Sequence, residues 1–226
     1  MSLLHPWHIH IVSVKEDAAR RAHVIALAQK LERFGFVVDV IDAYYYKTTD
    51  VLQVLNDKNI KWVNNGWLSL SQIACFLSHR LAWERVDHDY HIILEDDMDF
   101  NNLDLFLHIE QDLNNVAFCN SASVNNVDYD GVVMWKHPDK IPTDFKTITN
   151  HLVASYPQWG LCAYHIKPAL ATTLLSIDMF DRPIDNYIYD NVFKDNVCFT
   201  RHDPFVNLGF LGGCDNNYQF KSLIYG

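Results

Sequence analysis

A continuous apolar run, Ile92-Ile93-Leu94, leads without a break into four acids within five positions: Glu95, Asp96, Asp97 and Asp99. Such a run reads as a strand buried on both faces. The acids therefore stand at the carboxyl end of an interior strand. Two like charges about 4 Å apart repel by roughly 4 kcal/mol at the effective dielectric of a protein surface, so a fold that gathers them there needs a compensating cation. Carboxylate oxygens are hard donors that suit Mg²⁺ or Mn²⁺, and these ions commonly bring a phosphate with them. An acidic turn left in solvent is the plainer alternative.

The chain of 226 residues is long enough to bury a large core, and 49% of it is apolar, which argues for compact structure rather than disorder. A formal charge of -10 leaves no basic patch to neutralise phosphates, which excludes nucleic acid as a partner. It also argues against electrostatic docking on an anionic membrane. Cysteines fall at 75, 119, 162, 198 and 214, with no Cys-x-x-Cys pair to signal zinc or redox chemistry. Cys75 and Cys162 lie in apolar segments and read as small buried hydrophobes. The opening MSLLHPWHIHIVSV has neither a basic n-region nor a small-residue cleavage site, and no apolar run reaches transmembrane length. The expectation is a cytoplasmic protein with no integral membrane segment.

The first fifty residues predict a β-α-β unit. A strand over His8–Val14 precedes a helix capped by Asp17, with Val24, Leu27, Leu31 and Phe34 on one face and Gly35 as its stop. A second strand over Phe36–Ile41 ends at Asp42, which implies a parallel pair. After a polar, Asn-rich stretch, Ser69 and Gln72 fit a capping box for a helix running to about Val86. His79 shares a face with Cys75 and Trp83 by helical spacing. The strand His91–Leu94 then delivers the acids, so the ends at Ser13, Asp42 and Glu95 could converge on one crevice. Further on, a helix is expected over Leu103–Leu113, a strand over Asp130–Trp135 and an apolar segment over Leu161–Ile166. Pro168 opens a helix and Arg182-Pro183-Ile184-Asp185 a shorter one. No linker or repeat divides the chain, so residues 1–226 are expected to form one domain.

The blocks Leu68 to His79, with Cys75-Phe76-Leu77-Ser78-His79 at their end, then Trp83, then Ile93-Leu94-Glu95-Asp96-Asp97, resemble the signature of glycosyltransferase family 25. That family includes lipooligosaccharide and collagen galactosyltransferases. Ile11-Val12-Ser13 with Arg20-Arg21, Val40-Ile41-Asp42-Ala43, Gly160 with Ala163-Tyr164, and Arg182 to Asp185 resemble its other blocks. One position departs: the family usually carries Glu where this chain has Gln72.

The resemblance implies a GT-A type fold, an α/β domain with a mostly parallel central sheet flanked by helices, whose metal motif is a variant of Asp-x-Asp. It implies an inverting, metal-dependent transfer of a hexose, galactose or glucose, from a UDP-sugar to a glycan or glycoprotein hydroxyl. By that analogy Asp97 holds Mn²⁺ (or Mg²⁺) on the diphosphate and Glu95 faces the metal shell or the ribose, with Asp96 supporting them. His202 is a candidate to complete the metal shell from late in the chain. Asp97-Met98-Asp99 is a second, literal register of the motif. Ser13, Arg20, Asp42 and Tyr44 are candidate donor-binding residues, Arg20 and Arg21 for the diphosphate or ribose, Asp42 for uracil or ribose, and the Tyr44-Tyr45-Tyr46 run for base stacking. Asp185 is the candidate catalytic base, with Asp190 as runner-up. His79 is placed in the catalytic set as a residue that orients the acids. Trp67, Trp135 and Trp159 are candidates for an acceptor platform.

Each of these residues also has a plainer role, as helix cap, core residue or solvated charge. Two rivals stand beside the transferase. A sugar-nucleotidyltransferase would carry a Gly-rich phosphate loop after the first strand, and Ser13-Val14-Lys15-Glu16-Asp17 has no glycine. A catalytically silent nucleotide-sugar or glycan-binding module is disfavoured by the intact Glu95-Asp96-Asp97.

Overall fold

A computed structural model describes residues 2–63, 66, 68–116, 123–124, 127–128, 133–134, 146–147, 149–155, 162–191, 197–200, 205–208 and 220. It opens with strand β1 (His8–Ser13), helix α1 (Ala18–Arg33) and strand β2 (Val37–Asp42). Asp17 caps α1 by accepting from the Arg20 backbone, and Gly35 takes the positive φ of 99° that turns the chain out of the helix. β1 and β2 pair in parallel with Ser13 opposite Asp42.

Helix α2 (Val51–Asp57) and strand β3 (Lys61–Trp62) follow. The Asn-rich reading missed α2, whose seven residues are too few to display a helical period; its Asp50 cap was the available signal. Helix α3 (Leu70–Trp83) begins at a complete capping box. Ser69 accepts from the Gln72 backbone and the Gln72 side chain accepts from the Ser69 backbone. Strand β4 (His91–Glu95) delivers the acids, and a tight turn at Asp96-Asp97 leads to strand β5 (Met98–Phe100) and helix α4 (Leu103–Val116).

The remaining described elements are β6 (Ser123–Val124), β7 (Val127–Asp128), β8 (Val133–Met134), β9 (Lys146–Thr147), β10 (Leu152–Ser155), β11 (Ala163–Ile166), α5 (Pro168–Leu175), β12 (Met179–Phe180), α6 (Ile184–Asn191), β13 (Val197–Thr200) and β14 (Phe205–Asn207). β8 falls inside the expected Asp130–Trp135 strand, and Pro168 stands at the first turn of α5 as anticipated.

Eight strands form one sheet in the order β2-β1-β4-β11-β8-β13-β10-β9. β11 and β10 run against the other six, so the sheet is mostly parallel in direction although several neighbouring pairs are antiparallel. The architecture is mixed α/β with helices on both faces. Ile92 and Leu94 enter a core with α1 and α4, whereas Ile93 enters a second core with α3, α5 and α6. Burial on both sides is why β4 reads as continuously apolar. Cys75 and Cys162 pack against these two cores but are half-buried rather than enclosed. Among the described residues, no helix is long and apolar enough to cross a membrane.

Candidate active site

The carboxyl ends of β1, β2 and β4 lie side by side, with Ser13 opposite Asp42 and Val12 opposite Glu95. The expected convergence at this edge is therefore present. Parallel pairing brings together residues that are 29 to 83 positions apart in the chain.

Arg20 is 4% exposed, and its guanidinium bonds Asp96 and lies 3.4 Å from Asp97 Oδ2. Burial works against its charge, but the Asp96 and Asp97 carboxylates hold it above its ordinary range. The Val14 backbone N–H adds a bond to Asp96 Oδ2 at 3.2 Å. Phe220 lies over Arg20, 5.4 Å from ring centre to guanidinium carbon. One fixed cation thus bonds Asp96 closely and reaches one oxygen of Asp97. Glu95 remains, and Asp97 Oδ1 is buried with no partner among the described residues. Burial and the nearby Glu95 charge push Asp97 up to about 7. An enclosed, unpartnered carboxylate oxygen beside a second carboxylate is a donor set that fits a hard divalent ion.

Glu95 is held differently. His79 Nε2 is 3.3 Å from Glu95 Oε1, and His79 Nδ1 is 2.9 Å from the Tyr164 hydroxyl. That hydroxyl also accepts from Trp83 Nε1 at 2.8 Å. Trp83 can only donate, so the buried phenol's own proton goes to His79 Nδ1. His79 then carries its hydrogen on Nε2 and donates it to Glu95. Burial raises Glu95, but the bond and charge of His79, the Cys162 bond and the Arg20 charge together outweigh it, and Glu95 lies below the usual carboxylate range. The Glu95 backbone N–H bonds the Cys162 carbonyl at 2.8 Å, which joins the site to β11.

The Cys75-Phe76-Leu77-Ser78-His79 segment now has a physical account. Ser78 Oγ accepts from the Tyr44 backbone at 2.9 Å and fixes the chain leaving β2. Phe76 packs against Phe180 at a tilt, with ring centres 4.4 Å apart. Donor atoms of Cys75, His79 and Glu95 lie within 4.8 Å of one another. Burial and the charges of Glu95 and Asp185 push the Cys75 thiol well up, so in the metal-free protein it is a neutral thiol.

The other predicted residues divide. Ser13 is fully enclosed and its Oγ lacks a partner among the described residues. Asp42 is half exposed and bridges Arg21 at 2.9 Å and Lys15 at 3.9 Å. Tyr44 and Tyr46 pack partly into the core, and Tyr45 and Tyr46 meet edge to face with Lys47 over both rings. Asp99 pairs with Lys30 at 3.2 Å, so the literal Asp97-Met98-Asp99 register splits between two cations. Asp185 opens α6, and its charge bears on the Cys75 thiol; Asp190 is taken up by Arg182 at 2.6 Å. His202, Gly160, Trp67, Trp135 and Trp159 lie outside the described residues. Sequence reasoning missed Tyr164 as the anchor of His79 and Phe220 as the cover of Arg20. The Ala163-Tyr164 block was noticed, without a role.

The family model described as glycosyltransferase family 25 (LPS biosynthesis protein) matches residues 7–188, well over half the chain. No curated protein matches it.

Proposed function

The chain belongs to glycosyltransferase family 25, and from that premise we propose that it transfers a hexose, galactose or glucose, from a UDP-sugar to a hydroxyl of a glycan or glycoprotein. Membership implies a sugar donor and an acceptor. The GT-A description, the nucleotide, the hexose, the metal and inversion are the finer parts of this reading. One observation carries it: after Arg20 is committed to Asp96, the crevice still presents Glu95 and a buried, unpartnered Asp97 oxygen at the ends of three adjacent strands.

Glu95 and Asp97 would hold Mn²⁺ or Mg²⁺, with His202 as a further candidate ligand. When bound, the ion would supply electrostatic stabilisation of the departing diphosphate. This chain's own residues do the rest. Arg20 fixes Asp96 and steadies the turn that aims Asp97. Tyr164 and His79 fix which oxygen of Glu95 is engaged and which is left to the crevice. Asp42 at the end of β2 and Tyr44 just beyond it would meet the ribose and base. Ser13 underlies this edge.

Asp185 is the proposed base. It is half-buried, it opens a helix, and its Oδ1 accepts from the Asn186 backbone at 2.9 Å. In this role the carboxylate would take the proton of the acceptor hydroxyl as that oxygen attacks the anomeric carbon from the side opposite the diphosphate. Attack from that side inverts the centre. The same geometry serves the silent-module rival up to the point of turnover.

Incubating the protein with UDP-galactose or UDP-glucose and Mn²⁺, without acceptor, separates the two. Slow, Mn²⁺-dependent UDP release that Asp97→Asn abolishes is expected. Binding with no release in either sugar would favour the module.

A further inference from the structure

The amino ends of β1 and β4 carry a second donor cluster, roughly 16 Å by strand rise from the acids at the other end. His8 stands opposite His91 in the parallel register. Nitrogen donors of His8, His88 and His91 all lie within 4.8 Å of one another. Asp87 Oδ1 adds an oxygen 3.0 Å from His91 Nε2 and 3.7 Å from His88 Nε2. Donors of a tetrahedral shell with metal bonds of about 2.0–2.1 Å stand roughly 3.3 Å apart, and these spacings bracket that figure. The Asp87 side chain is 81% exposed, so the cluster opens to solvent on one side.

The hydrogen bonds behind His91 point the same way. His10 Nε2 and His91 Nδ1 are 2.8 Å apart, and His10 Nδ1 faces Asp39 Oδ2 at 3.5 Å, with Asp39 itself held by Arg85 at 2.8 Å. Where His91 Nε2–H donates to Asp87 Oδ1, His91 Nδ1 accepts from His10 Nε2–H; the Asp87 backbone N–H also faces His91 Nε2, at 3.5 Å. In that arrangement His10 Nδ1 is a bare nitrogen, buried and without a hydrogen-bond partner among the described residues, 3.5 Å from the Asp39 carboxylate. Two neutral rings supply two protons for three links between Asp39 and Asp87. An ion on His91 Nε2 removes the deficit with no net change in protons. His91 then carries its hydrogen on Nδ1 and donates to His10 Nε2, and His10 carries its own on Nδ1 and donates to Asp39. That is the carboxylate-backed imidazole found behind metal-bound histidines.

We propose that His8, His91 and Asp87, with His88 closing the shell, form a site for a borderline divalent ion of the Zn²⁺ class that pins the starts of β1 and β4 to the turn at 87–90. Imidazole donors select Zn²⁺, Cu²⁺ or Ni²⁺ over the hard ions that suit the carboxylates of the active site. His88 joins last, because its Nδ1 accepts from the Tyr90 backbone at 3.1 Å and must release that bond for Nε2 to bind. The ion is structural, far from the transfer chemistry.

Equilibrium dialysis of the untagged protein against Zn²⁺, with Co²⁺ absorption as a readout of coordination, tests the assignment. One tightly bound Zn²⁺ and an intense tetrahedral Co²⁺ spectrum are expected. Both should vanish in the double variant His8→Gln/His88→Gln and persist in Asp97→Asn. Asp39→Asn, which touches no ion, should weaken Zn²⁺ about 10-fold by loosening the hold on His10 and His91. Melting in EDTA checks that the variants fold, and Zn²⁺ should then raise the melting temperature of the parent but not of the double variant. Equal Zn²⁺ affinity in parent and double variant would overturn the proposal, as would loss of binding in Asp97→Asn instead or absence of Zn²⁺ binding in the folded parent.

Discussion

Tyr164 lies 85 residues from His79 in the chain, yet its hydroxyl sits 2.9 Å from His79 Nδ1 and decides which nitrogen of that ring holds the proton facing Glu95. Trp83, one turn along α3 from His79, completes the lock by donating to the same oxygen at 2.8 Å. Glu95 is therefore oriented by a chain of three buried side chains.

Removing the Tyr164 hydroxyl leaves Trp83 Nε1 and His79 Nδ1 facing a void. Tyr164→Phe is expected to cost about 1–3 kcal/mol in urea unfolding. It should also lower turnover roughly 10-fold, because His79 can then adopt either tautomer. A stability loss with unchanged turnover would show that the relay only packs.

Arg20 is a buried cation among carboxylates, and deleting it strands Asp96. Arg20→Met is expected to destabilise by about 3–5 kcal/mol. Adding Asp96→Asn should recover much of that loss, a coupling that a double-mutant cycle measures directly.

Asp97 gives the metal-free protein a pH signature. Its carboxyl is pushed up to about 7 in the fold, above the ordinary 3.8, so the folded state binds the proton more readily than the unfolded one. Its contribution to stability is therefore present at low pH and is lost as pH rises from about 4 through 7. In EDTA, Asp97→Asn should flatten the decline between pH 5 and pH 8. Glu95 works in the opposite sense, since its lowered value makes it a stabilising anion that is lost as pH falls below the usual carboxylate range.

Gln72 closes the capping box of α3, accepting from the Ser69 backbone at 2.8 Å. Glu at this position would add a charge at the helix N-terminus. Gln72→Glu is expected to stabilise by about 0.3–1 kcal/mol and to leave turnover unchanged. A change in turnover would give that position a part in the transfer.

Much of this was legible in the sequence where the signal is local. The Ser69-Gln72 box, the Asp17 cap, the stop at Gly35 and the apolar run before Glu95 each rest on spacings of a few residues, and each appears where it was expected. The convergence of Ser13, Asp42 and Glu95 followed from the β-α-β pattern. What stayed hidden depends on pairing between distant segments. The run of four acids suggested a missing cation, but not that Arg20, 76 positions upstream, supplies part of it. β11 running against β4 and β14 running against β5 have no local signature either. Those two pairings bring Tyr164 to His79 and join the turn after Glu95 to the late chain.

The central claim is that Glu95 and Asp97 hold a divalent ion on a UDP-sugar. Thermal melting with UDP-galactose or UDP-glucose, with and without Mn²⁺, tests it most directly. The account predicts that a UDP-sugar raises the melting temperature only when Mn²⁺ is present, and that Asp97→Ala loses the shift. A metal-dependent shift that survives Asp97→Ala would contradict it.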